Sequence, residues 1–67
     1  MNKAQIKEFI DLTVKGQDAA TSLEGSRAAQ EHIAALPDRQ ERDELIKYLA
    51  EVLADNFLAR TKGGLYL

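Results

Sequence analysis

The sequence predicts an all-α fold: a small three-helix bundle or a bent helical hairpin, with its longest helix at the C-terminus. Three observations carry that reading. Apolar residues recur at the i, i+3, i+4 spacing of one helical face. Two capping boxes, Asn2 with Gln5 and Asp38 with Glu41, mark helix starts. Pro37 stands where a helix must end, because it has no N–H to donate and disfavours helical backbone in the residue before it.

The first predicted helix covers residues 3–15. Ile6, Phe9, Ile10, Thr13 and Val14 share its inner stripe, and Gly16 fits the left-handed C′ position that follows. Leu12 falls off the stripe, roughly 120° from its centre at about 100° per residue.

The second segment is poorer in large side chains. Leu23 is the only one between Lys15 and His32. Thr21 with Glu24, or Ser26 alone, offers an N-cap, so the expected helix runs from residue 21 or 26 to 35, frayed or bent near Gly25. Its small residues, Ala28, Ala29, Ala34 and Ala35, allow close approach to a neighbour.

The third helix is expected from residue 39 to residue 61 or 62. Glu41, Asp43 and Glu44 load its N-terminal turns, and Arg60 and Lys62 its last, matching the macrodipole at both ends. Gly63 is expected to stop it, leaving an apolar tail, residues 63–67. A merger of the first two helices into one bent arm is the alternative topology.

More than half of the large apolar residues lie at or after Leu45. On a wheel they spread over about half of the third helix, wider than the ~100° stripe that one packed layer needs. Small domains commonly recruit a disulfide, a metal or self-association to reach adequate stability. This chain has no cysteine and no evident ligand set, so a homodimer or higher oligomer is expected. Its interface would use Leu45, Tyr48, Leu49, Val52, Leu53 and Phe57.

Composition bounds the function. The 67 residues make one domain, and 45% hydrophobic with 30% charged residues is the balance of a folded soluble chain. No apolar run approaches the ~18 residues that span a bilayer, and a cytoplasmic setting is expected. The formal charge of −2 does not suit a dedicated DNA binder.

Catalytic equipment is missing. The single histidine, His32, has no nucleophile or second ligand at helical spacing beyond Glu31 and reads as a boundary residue. Thr61-Lys62-Gly63-Gly64 is not a phosphate loop: it departs from the G-x-x-x-x-G-K-[ST] pattern and lies at the wrong end of a helix. Asp43, Glu44, Lys47, Glu51 and Asp55 form a solvated stripe. No enzyme, cofactor or metal is therefore expected.

The expected function is a non-enzymatic helical interaction module that binds and regulates or inhibits a protein partner, as a homo-oligomer. Leu12, Leu58, Leu65, Tyr66 and Leu67 are the apolar residues left for that partner, with Arg60 at the rim. The alternative is a nucleic-acid-binding helical dimer that uses Arg27, Arg39, Arg42, Arg60 and Lys62.

Overall fold

The computed structural model describes the backbone of residues 1–65 and the side chains of residues 1–59. It holds three helices, α1 (Lys3–Thr13), α2 (Ala19–Ala34) and α3 (Arg39–Leu65), in an up-down-up bundle. The overall extents are 46 × 18 × 15 Å.

At the start of α1, Asn2 and Gln5 form the expected capping box. The Asn2 side chain accepts from the Gln5 amide, and the Gln5 side chain accepts from the Asn2 amide, both at 2.9 Å. The helix ends at Thr13, two residues short of the expected boundary. Val14 is its C-cap, and Gly16 takes the turn at φ +73.

The largest departure from expectation is in α2. It starts at Ala19, with Asp18 as N-cap accepting from the Thr21 amide at 2.8 Å, rather than at residue 21 or 26. It runs unbroken through Gly25, and the reason for that glycine is steric. A Cβ there would stand 2.6 Å from the Thr13 carbonyl oxygen and 2.9 Å from its Oγ1. The glycine is thus the contact point of α1 and α2 and not a hinge. Ser22, Gly25, Ser26, Ala29 and Ile33 make one buried face whose small members bring the two backbones together.

Asp38 caps α3 through the Glu41 amide at 3.2 Å. The helix continues to Leu65, so Gly63 and Gly64 lie within it and do not stop it. The tail is correspondingly shorter than expected: Leu65 closes the helix, and Tyr66 and Leu67 lie outside the described residues.

The core is one cluster from all three helices and the α2–α3 turn: Ile6, Ile10, Val14, Ala29, Ile33, Leu36, Leu45, Leu49 and Val52. Phe9, Tyr48 and Leu53 pack on its margin. The width of the apolar face on α3 is therefore accounted for within one chain, with α1 on one side and α2 on the other. It also bears on the six residues expected at an oligomer face. Leu45, Leu49 and Val52 are at most 4% exposed, and Tyr48 and Leu53 are half-buried, which leaves only Phe57 of the six open to solvent.

One polar residue enters this core. Asn56 is buried, donates from Nδ2 to the Val14 carbonyl at 2.7 Å and to Ser22 Oγ at 3.0 Å, and accepts the Gly16 amide on Oδ1 at 2.8 Å. Ser22 Oγ donates in turn to the Val14 and Gln17 carbonyls. The α1–α2 turn, α2 and α3 are thereby locked at one level.

Two stability predictions result. Asn56→Ala takes the side-chain acceptor from the Gly16 amide and removes a bond from the buried Val14 carbonyl and from Ser22. It should cost about 2–4 kcal/mol in urea denaturation. Gly25→Ala gains about 1 kcal/mol of helix propensity, yet the clash with the Thr13 backbone should outweigh it by roughly 1–2 kcal/mol. A stabilised Gly25→Ala protein would show that α1 and α2 do not approach so closely.

Candidate functional site

Apolar surface outside the core is the chemistry that the described residues offer. Among them, Met1, Leu12, Leu23, Ile46, Phe57 and Leu58 are the exposed large hydrophobic side chains, from 48% to 69% exposed. The question is whether they are scattered, as single surface apolar residues commonly are, or gathered.

Helical register gathers three of them. On α3 the core line is Leu45, Leu49, Val52 and Asn56. Displaced by roughly 70–130° from it, at about 100° per residue, run Ile46, Ala50, Leu53 and Phe57, spaced by four, three and four. On α2 the core line is Ser22, Ser26, Ala29 and Ile33, and the matching flank, one residue on from each, carries Leu23, Arg27, Gln30 and Ala34, with Ala19 one turn before Leu23.

Contacts to α1 show which way these flanks turn. Tyr48 and Glu44 reach α1 from the opposite side of α3, through Asp11 and Lys3. His32 and Gly25 reach α1 from the opposite side of α2: His32 meets Phe9 edge to face, with centroids 5.4 Å apart, and Gly25 meets Thr13. Neighbouring antiparallel helices have opposite senses of rotation, so both flanks open into the single groove between α2 and α3, away from α1. Leu23, Ile46 and Phe57 are the open large side chains there, with Leu53 half-buried at the floor. Of the two polar members, Gln30 donates to Ser26 Oγ at 3.1 Å and Arg27 is exposed.

A second, smaller apolar strip lies on the outer side of α1. Met1, Gln5, Glu8, Phe9 and Leu12 line a shallow depression of about 250 Å³. Leu12, the off-stripe residue of the sequence analysis, is 69% exposed here. Leu58 stands apart from both surfaces, 61% exposed on the far side of α3 beyond the Asn56 level. Of the remaining expected partner residues, Arg60 and Leu65 are placed only as backbone within α3, and Tyr66 and Leu67 lie outside the described residues. Sequence reasoning missed the α2/α3 face because it placed Leu23 at an uncertain helix start and treated Ile46 and Phe57 as part of one broad stripe. The spacing of residues 46, 50, 53 and 57 was the available signal.

The basic residues of the nucleic-acid alternative do not form one surface among the described side chains. Arg42 donates to the Leu36 carbonyl at 2.5 Å and closes the α2–α3 turn. Arg39 stands 3.9 Å from Asp43, and Arg27 is exposed on α2. Lys62 is placed only as backbone.

Electrostatic contacts join α1 to α3. Lys3 pairs with Glu44, which holds the Glu44 carboxyl below, and the Lys3 ammonium above, their ordinary ranges. The Tyr48 hydroxyl donates to Asp11, while Lys7 lies 5.1 Å from the Tyr48 ring centroid, a cation–π arrangement. The Asp11 hydrogen bond, with burial and negative charge, pushes the Tyr48 phenol up. Among the described residues no group of three or more His, Asp or Glu comes together as a metal site. Among the described residues no helix is long and apolar enough to cross a membrane.

Comparison with known proteins identifies no relative: no family model, no curated protein and no solved structure matches the chain.

The Tyr48–Asp11 contact makes a pH prediction. A phenol with a raised folded value contributes stability that is fully present below its unfolded value near 10 and is lost as pH rises through the folded value. In a Tyr66→Phe background, tyrosinate absorbance should therefore appear above the ordinary tyrosine range. It should move down towards that range on Asp11→Asn.

Proposed function

We propose that this protein is a non-enzymatic helical interaction module that binds a protein partner and regulates or blocks it. The observation that supports the reading is the gathering of exposed apolar side chains. Leu23, Ile46 and Phe57 share the α2/α3 face, and Met1 and Leu12 share the outer side of α1 with Phe9. A chain of this size has few large apolar residues to spare from its core, and contiguous exposed ones mark interaction surfaces.

The two surfaces divide the work. The α1 strip presents Leu12 and Met1 beside the carboxylate of Glu8, a short apolar ridge with a polar edge of the kind that meets a helix or groove on another protein. Leu58, on the far side of α3, stands apart from both and offers a separate exposed anchor.

The test is capture of partners from the native cell by the tagged full chain, compared between wild type, Leu12→Asp and Leu58→Asp. Both variants should keep wild-type helicity, since both side chains are exposed. Loss of the same partner by one or both variants, roughly tenfold or more in recovered amount, is expected from removing an interface anchor. Unchanged capture by both would refute the reading of these residues.

A further inference from the structure

We propose that the α2/α3 face is occupied by a second copy of this chain, joined about a two-fold axis parallel to the helices. This inference rests on the interaction-module reading and names one of its partners.

The first argument is geometric. Two antiparallel helices with an apolar groove between them are half of a four-helix bundle. A second pair, rotated by half a turn about the bundle axis, sets α3 beside the α2 of the partner. Every neighbouring pair is then antiparallel, the arrangement of up-down bundles. The inner layer would contain Leu23, Ile46, Leu53 and Phe57 from each copy, with Ala19 and Ala50 making room for them.

Charge complementarity selects this arrangement. The Asn56–Ser22 bond sets the level of α3 against α2. Nine residues on along α2 and nine back along α3, Glu31 stands level with Lys47. Both are exposed and lie on the outer margins of the face. The parallel two-fold therefore brings Lys47 against Glu31 of the second copy, twice. A two-fold perpendicular to the helices, which sets α3 against α3 and α2 against α2 about the middle of the apolar stripe, brings the two Arg27 residues together.

Size fits a reversible dimer. The face is as long as α2, about 24 Å, and two helices, about 20 Å, wide. That gives roughly 1,000 Å² buried in total, at the lower end of specific interfaces. A concentration-dependent dimer is the expected state, not an obligate one.

The experiment is sedimentation equilibrium on the full chain over a range of concentrations, with Lys47→Glu and Glu31→Lys as the probes. Wild type should dimerise. Each single variant should dimerise more weakly, by roughly tenfold in Kd for two rim pairs turned repulsive. An equimolar mixture of the two variants should recover association to within about threefold of wild type. In the mixed dimer one seam carries the exchanged charges, acid at position 47 facing base at position 31, and the other seam keeps the native pair. Recovery in the mixture is not produced by damage to either monomer's fold. Leu23→Asp should weaken the dimer by at least tenfold with helicity retained, and Leu12→Asp should leave it unchanged. A wild type that stays monomeric, or a mixture no stronger than the single variants, overturns the proposal. Either result leaves the α1 partner surface to stand on its own capture experiment.

Discussion

The bundle turns on the side-chain amide of Asn56. Burying a carboxamide beside Val14 and Ser22 is unfavourable unless its polar atoms are partnered. Here the nitrogen serves Val14 and Ser22 and the oxygen serves Gly16. Aliphatic side chains would tolerate sliding of α3 by a turn; this set of partners exists at one register only. The level of α3 against α2, and with it the composition of the groove between them, follows from that one residue.

Close approach is the second constraint. α2 has little bulk to offer a core, so it contributes by letting its backbone come near α1. Ser22, Gly25, Ser26 and Ala29 are small, and the Thr13 carbonyl occupies the space that a Cβ at position 25 would need. Thr13 Oγ1, by donating to the Phe9 carbonyl, turns its polar atom back onto its own helix. The weakly hydrophobic helix is thus held by shape, and the larger side chains of α1 and α3 fill what remains.

The three helices were legible because their signals are local. Asn2 with Gln5, Asp38 with Glu41, Gly16 and Pro37 act within a few residues of themselves, and each stands where the sequence places it. What was not legible is relational. Asp18 as a cap competes with Thr21 and Ser26 on equal local terms, and only the placement of Ser22 and Gly25 against α1 decides for it. Gly25 reads as a weak point until Thr13 is seen beside it. Asn56 carries no local signal, and its role appears only with its three partners, Val14, Gly16 and Ser22. Likewise, the broad apolar side of α3 suggested an external neighbour, whereas α1 and α2 divide most of it. The surface that remains is narrower, shared with α2, and visible only once both helices are in register.

The amide of Gly16 illustrates how far this locking extends. A turn amide between two short helices ordinarily exchanges its proton with solvent through small local openings. This one points at Asn56, so releasing it means separating the α1–α2 turn from α3. Its deuterium exchange should therefore be slower than that of an ordinary turn amide, and a loop proton becomes a reporter of the contact between the α1–α2 turn and α3.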